Sequence, residues 1–591
     1  MLKYNKHRDK LLIEYSRREI CIDAKMNYSR SLFVRLKLNQ LLSARGIVFQ
    51  STLKRHKRSS YLKSNSFGVH LCLKMFSSTC SKKFENLCDL ESTLSYEDCI
   101  EALNELQSNA SVIEKNRRDR LSNASINLIH TSHYLRLCSI SDEDIKSLNV
   151  IHIAGTKGKG STAAFTESIL RNHGCRTGFF SSPHLVEVRE RIRIDGVPLS
   201  KEQFAKNFCE VYSKLKSKNC ESRANGIPEL PPYFRFLTLL AIYTFMQEKV
   251  DVAVVEVGIG GEYDCTNVIK YPRVVGVTSL GIDHVAILGN TIDMIAWQKA
   301  GIFKQTVPAF TVQQDNKAMK VLKNRANEKE CPLLVCPPLK EYEYSPEVLG
   351  IPGEVQKVNA SLALQLSNAW LQVANNNYDA AAAHLQEAGA SCAPFQLSKS
   401  HIKGLVTCTW PGRYQQYRKG NVIYFMDGAH TAESIRTCVD WFESTSKSSN
   451  GLEPYRILLF NCTGQRSAAD LILPVMDISF DQAIFSPNNA YDIKQKASDQ
   501  SNFNVDRERE LQITEQLCTS FLSYYNERHV ETSLPTKTFS CLNDALNHIT
   551  GESENKPEVH VLVTGSLLLV GGLLRLIDPN LQSFNAKTFI D

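Results

Sequence analysis

Apolar and polar positions along this chain follow two rhythms: short unbroken Val/Ile/Ala runs, and longer stretches with apolar residues every three or four positions. Runs of the first kind at 150–154, 177–181, 252–257, 274–278 and 307–312 predict strands buried on both faces, with helices starting near Ser161, Ser200, Phe234 and Thr291. Upstream, 95–130 has helical spacing, as in YEDCIEALNELQ, and 356–374 reads as one long helix. A polar, alanine-rich region then leads into a second series. Here 422–426, 456–461, 482–485 and 560–564 predict strands, with helices starting near Thr431, Glu508, Leu542 and Ser566. Strands alternating with helices imply parallel sheets covered on both faces, so the fold class is α/β with two such units. We place the boundary between them near 394–406, and read 495–506 as an exposed polar insertion. No internal repeat is evident.

The first strand runs into IHIAGTKGKGST at 151–162. Consecutive N–H groups in a glycine-rich turn, backed by a helix N-terminus, surround a polyphosphate, and a lysine adds mobile charge. The pattern departs from G-x-x-x-x-G-K-[ST]: Ile153 stands at the first glycine, and Gly160 follows Lys159 where a hydroxyl is usual. A chance glycine turn is the plain alternative.

Length allows two or three domains. The formal charge of +7 is uneven: 24–84 holds thirteen Lys or Arg and no Asp or Glu, which leaves −6 for the rest. A mildly acidic body gives no reason to expect a nucleic-acid partner. The basic, serine-rich stretch has the composition of a mitochondrial presequence, with Met26 a better start for it and Met75 beginning a form without it. A disordered basic tail is the alternative. The 18 cysteines include no C-x-x-C pair and read as reduced thiols. The run 559–577 is broken by Gly571-Gly572 and Arg575, so a strand and an apolar helix explain it better than a membrane span.

Four further stretches end strand candidates or follow them. Ser182 precedes Pro183, which holds it in an extended turn; a simple strand-ending turn is the alternative. Glu256 is embedded in an apolar strand, where a carboxylate needs a partner or a metal. His284 in LGIDH reads equally as a ligand or a satisfied polar residue, since magnesium prefers oxygen. Lys299, in AWQK, reads by default as a solvated lysine. In the second unit, Arg413 of WPGR could clamp phosphate, and Asp427 of DGAHTA could accept ribose hydroxyls or orient an amine; both are also ordinary turn residues.

In order, GTKGKGST, FFSSPHLVEVRERIRI, PPYFRFLTLLA, VVEVGIGG followed by YDCTN, LGIDH, AWQK with GIFK, WPGR, DGAHTA and VLVTGSL with LVGG run from about Tyr96 to Leu576. Together they closely resemble the folylpolyglutamate synthases of animals, within the Mur-ligase-like family of ATP-dependent amide-forming enzymes. The resemblance implies a parallel-sheet phosphate-loop ATPase domain at 85–396, like the central domain of Mur ligases. A smaller Rossmann-like α/β domain would follow at 397–591, and 1–84 would be a basic targeting extension. It implies ATP and Mg2+ as cofactors, with a monovalent cation. Gly158, Lys159, Gly160 and Ser161 would hold the phosphates, and Ser182, Glu256 and His284 the magnesium. Lys299 would match a lysine carbamylated in some relatives. Arg413 and Asp427 would reach ATP from the smaller domain, with His430 near the incoming amino acid.

Two positions depart from the pattern: Glu262, where a small or basic residue is usual and which would add negative charge near the metal, and Val355, at a histidine position. The 182–193 loop is the first guess for pteridine contact.

The implied reaction follows from chemistry. ATP would phosphorylate the γ-carboxylate of a folate's terminal glutamate, and the α-amine of free glutamate would attack the acyl phosphate. Lys159, magnesium and Arg413 would stabilise the transferring phosphoryl group. The expected partners are folate and L-glutamate, for a monomer without an integral membrane segment. The expected forms are mitochondrial, in the matrix or against the inner membrane, and cytosolic, serving one-carbon metabolism. The rival within the class is a bifunctional enzyme that also glutamylates dihydropteroate. A nucleotide switch is the rival outside it, and neither Asn316-Lys317 nor Asn555-Lys556 completes its N-K-x-D motif.

Overall fold

The structure, a computed structural model, describes residues 10–15, 18–23, 94–107, 125–375, 387–447, 453–462, 468–491, 499, 507–528 and 534–584. The chain divides into two units, Met1–Ser92 and Thr93–Asp591. In the first, strands Lys10–Tyr15 and Arg18–Asp23 pair antiparallel. The basic stretch 24–84, with Met26 and Met75, lies outside the described residues.

The second unit holds two α/β domains built on separate sheets. The first sheet has nine strands, in the spatial order Ala390–Ser391, Leu333–Val335, Ala309–Thr311, Val274–Val277, Ile151–Ala154, Val252–Glu256, Thr177–Phe180, Ile192–Ile194 and Val197–Pro198. The first seven run parallel, and each of the last two is antiparallel to the strand before it. The central strands are wholly buried, as their unbroken apolar runs require. Helices Lys159–Asn172 and Glu354–Ala374 pack together, and helix Lys399–Val406 lies on the former, with Ser168 Oγ donating to the Gly404 carbonyl at 2.8 Å.

The second sheet has six strands, ordered Gln415–Lys419, Val422–Met426, Val559–Thr564, Tyr455–Phe460, Gln482–Phe485 and Thr536–Thr538, with only the first antiparallel to its neighbour.

Departures from the sequence reading lie mainly at the edges. Gln415–Lys419 is mostly polar because an edge strand faces water on one side, so it carries no apolar run to find. The strand expected at 307–312 shortens to Ala309–Thr311, since Pro308 has no N–H to donate to a ladder. The stretch 559–577 is a strand to Thr564 and a helix Leu567–Ile577; among the described residues no helix is long and apolar enough to cross a membrane. Every cysteine described from Cys99 to Cys541 is a free thiol.

Candidate active site

Four neighbouring strands of the first sheet end together. Ile153 is opposite both Glu256 and Gly276, and Phe180 is opposite Val255, so the segments that follow these strands open onto one edge. In parallel sheets this edge is where ligands gather.

The glycine-rich turn is pinned to the neighbouring segment at 278–281. Thr156 N–H and Lys157 N–H both donate to the Ser279 carbonyl, at 3.0 and 3.1 Å, and Thr278 Oγ1 donates to the Lys157 carbonyl at 2.6 Å. Helix Lys159–Asn172 then begins, with Gly158 at its N-terminus in the left-handed region at φ +84°. A Cβ there would sit 2.1 Å from Asn359 Oδ1, so both conformation and space demand glycine. Lys159 Nζ lies 3.9 Å from Glu256 Oε1, and the Ser182 N–H donates to Glu256 Oε2 at 3.1 Å. Burial pushes the Glu256 carboxyl above its ordinary range; Lys159 opposes this first, then the Ser182 N–H and Arg413.

Lys299 is 3 % exposed, which corrects the reading of a solvated lysine. Its helix Ile292–Lys299 delivers Nζ under the turn, where it donates to the Gly155 carbonyl at 2.6 Å. Burial, reinforced by the Lys159 charge, holds its pKa well below the usual lysine range.

His284 is exposed in the left-handed region at φ +50°, ahead of the short helix Val285–Leu288. Among the described residues it makes no hydrogen bond to Ser182 or Glu256, and no group of three or more His, Cys, Asp or Glu side chains forms a metal-sized cluster. The buried Glu256 carboxylate and the Ser182 hydroxyl are oxygen donors that suit a hard divalent cation. Glu262 does not add an unbalanced charge: Arg325 meets it at 2.5 Å and Lys329 at 3.4 Å.

The second domain supplies the opposite wall. Asp427 is buried and accepts from the Tyr414 N–H at 3.0 Å; burial raises its pKa and the neighbouring Arg413 opposes the rise. His430 Nδ1 lies 2.8 Å from the Gly428 carbonyl, which can only accept, so Nδ1 carries the proton. Its Nε2 faces Lys157 Nζ at 3.3 Å across the domain junction. Lys157 Nζ also lies 3.7 Å from Asp283 Oδ2.

Two wedges join the domains. Trp410 of the WPGR segment lies against Gly160, makes an edge contact with Phe179 at 5.3 Å between ring centroids, and carries the Arg193 guanidinium 4.7 Å above its ring. In return, Leu185 and Val186 of the 182–193 loop are buried in the second domain's core with Val422 and Val570. That loop is gripped by Asp499, which the sequence reading left in an exposed insertion. Asp499 Oδ1 accepts from Tyr96 Oη at 2.5 Å and from the Val188 N–H at 2.7 Å, and its carbonyl accepts from His184 Nε2 at 2.9 Å.

The structure therefore brings together Gly158, Lys159, Gly160, Ser161, Ser182, Glu256 and Lys299, with Arg413, Asp427 and His430 facing them. The sequence reading gave no role to Lys157, Asp283 or Asp499. Lys157 stood in plain view inside the glycine turn, whereas nothing local distinguishes Asp499 from its polar neighbours.

No known protein-family profile matches the chain. Its sequence is 41% identical to the mitochondrial folylpolyglutamate synthase of Homo sapiens, over 83% of this chain and 93% of that one. It is 42% identical to the mitochondrial folylpolyglutamate synthase of Cricetulus griseus, again over 83% and 93%. The fold matches the Mycobacterium tuberculosis folylpolyglutamate synthase, solved with ADP and AMPPCP, at a TM-score of 0.59 and 24% identity, covering 76% of this chain and 95% of that one. With relatives this similar along nearly their whole length, the chain belongs to the folylpolyglutamate synthase family.

Proposed function

We infer that this chain is an ATP-dependent ligase that joins L-glutamate to the γ-carboxylate of folate mono- or polyglutamates through an acyl phosphate. The observation that carries this reading is the pairing of a phosphate-type glycine turn with a facing wall of Arg413, Asp427 and His430 from a second domain. Such a cleft holds a nucleotide and a second reactant together and excludes water from a hydrolysable intermediate.

In this reading Gly158, Lys159, Gly160 and Ser161 cradle the ATP phosphates at the helix N-terminus. Lys159 and Arg413 take up charge on the transferring phosphoryl group. Ser182, Glu256 and His284 are the residues that would hold Mg2+, and the ion would supply neutralisation of negative charge on the phosphates. Asp427 holds the Arg413 turn and faces the nucleotide, and His430 stands on the amino-acid side. Carbamylation of Lys299 is supported by its burial: CO2 adds to a neutral amine, and this amine is held well below the usual lysine range.

The acid-free basic stretch and the mitochondrial relatives support a mitochondrial form of this protein. Starting translation at Met75 would give a cytosolic one. Localising tagged products begun at Met26 and at Met75 tests both, and a purely cytosolic Met26 product removes the import signal.

The deciding assay is ADP release by the purified enzyme with ATP and Mg2+, with and without a reduced folate and glutamate. Release that needs both acceptors supports the ligase; hydrolysis indifferent to them overturns it.

A further inference from the structure

We propose that Lys157 is a substrate-binding residue for the amino-acid acceptor, its ammonium pairing with a carboxylate of the incoming glutamate at the junction of the two domains. This deepens the ligase reading and rests on it.

Lys157 sits in a phosphate-type turn, yet its N–H is committed to the Ser279 carbonyl at 3.1 Å and its carbonyl accepts from Thr278 Oγ1 at 2.6 Å. Its N–H is not left to serve a phosphate. Its side chain also leaves the turn in another direction from Lys159, which stays over Glu256. Lys157 Nζ instead crosses to the second domain, 3.3 Å from His430 Nε2, with Asp283 Oδ2 at 3.7 Å.

That position has three properties a carboxylate clamp needs. The lysine side chain keeps 32 % of its surface exposed, so a solute in the cleft can reach it. His430 is oriented by its Nδ1–H bond to the Gly428 carbonyl, and its bare Nε2 accepts from the ammonium, which holds Lys157 Nζ at the junction. Asp283 Oδ2 pairs with Lys157 at the long end of ion-pair distance, and an arriving carboxylate can share the ammonium's three donors.

The chemistry calls for such a group. Glutamate arrives with two carboxylates and one ammonium, a net monoanion, into a cleft already holding ATP and an activated carboxyl. It needs cationic partners beyond those engaged by the phosphates. Lys157 Nζ sits by His430 and Asp283 while Lys159 Nζ stays by Glu256, so Lys157 can serve the acceptor without displacing Lys159.

The test is steady-state kinetics of Lys157→Met and Lys157→Arg beside the wild type, each substrate varied in turn. Losing one charge-assisted hydrogen bond should raise KM for glutamate about tenfold or more in Lys157→Met, with KM for ATP and folate nearly unchanged. Lys157→Arg should recover part of the loss, which a merely structural contact would not predict. Retained binding of a non-hydrolysable ATP analogue shows that the variants are folded. Glutamine as competing acceptor separates the two carboxylates: erosion of the preference for glutamate assigns the side-chain carboxylate, and parallel weakening of both acceptors assigns the α-carboxylate.

A wild type without glutamate-dependent ADP release removes the ligase reading, and this proposal with it. An active wild type whose glutamate KM survives Lys157→Met, or a variant whose ATP KM rises as much, overturns the role of Lys157 alone.

Discussion

Gly160 and Trp410 are in contact: a Cβ built on Gly160 would stand 3.2 Å from the indole Cζ2. The glycine that breaks the common phosphate-loop pattern is thus the seat of a tryptophan from the segment leading into the second domain. Arg413 is three residues beyond that tryptophan, so the seat fixes where the arginine enters the cleft.

Gly160→Ser, which restores a hydroxyl after the lysine, should therefore harm rather than help. Trp410 is held by Phe179 and Arg193 and cannot retreat freely. Overpacking of this kind costs about 1–3 kcal/mol, and we expect a lower Tm together with a fall in kcat as Arg413 is displaced. A variant with wild-type kcat and Tm would show that the contact carries no positional information.

Lys159→Ala should leave the fold intact and cut turnover by about 10²–10³ in kcat, from one missing charge stabiliser. The buried Glu256 loses the first of the charges opposing its raised pKa and keeps the Ser182 N–H and Arg413 as the next ones. The measurements are single-turnover ADP formation and thermal unfolding. Substantial residual ligase activity contradicts the role given to Lys159.

Most of this site was legible because each strand end carries its own signature: a glycine turn, a serine before proline, a glutamate inside an apolar run. What the sequence hid is of three kinds. Edge strands such as Gln415–Lys419 lack an apolar pattern because water takes one side. Contacts made across long sequence separation, such as Asp499 with Tyr96, leave no local trace at all. Lys299 shows a third failure: a lysine among apolar neighbours reads as solvated until the fold turns it under the Gly155 carbonyl.

Lys299→Met should separate chemistry from stability. A base whose folded pKa lies below its unfolded value binds fewer protons when folded, so stability rises with pH between the depressed value and the ordinary 10.5. The methionine variant should lose that alkaline gain in a Tm series. Its activity should fall by about 10–100-fold, as for a lost supporting group at a metal site. Restoration of wild-type activity by bicarbonate in a CO2-depleted preparation would tie the loss to carbamylation; activity insensitive to CO2 removes that part of the reading.

Asp499 gives the opposite sign. Burial pushes its carboxyl up to about 6, opposed first by the Tyr96 hydroxyl and then by the Val188 N–H. An acid with a raised folded pKa binds more protons when folded, so this site loses stability as pH climbs from about 4 towards 6 and is least favourable above. Asp499→Asn keeps an Oδ1 acceptor for Tyr96 Oη and the Val188 N–H and removes the charge that burial penalises. The variant should therefore match the wild type near pH 4.5 and exceed it in Tm near pH 7.5. Asp499→Ala, which strands both donors, should lie below the wild type at either pH, at a cost of about 1–3 kcal/mol. Because Val188 belongs to the loop whose Leu185 and Val186 are sunk in the second domain's core, losing this grip should also raise KM for the substrates bound across the cleft. If Asp499→Ala leaves both Tm and KM unmoved, Asp499 does not hold the loop.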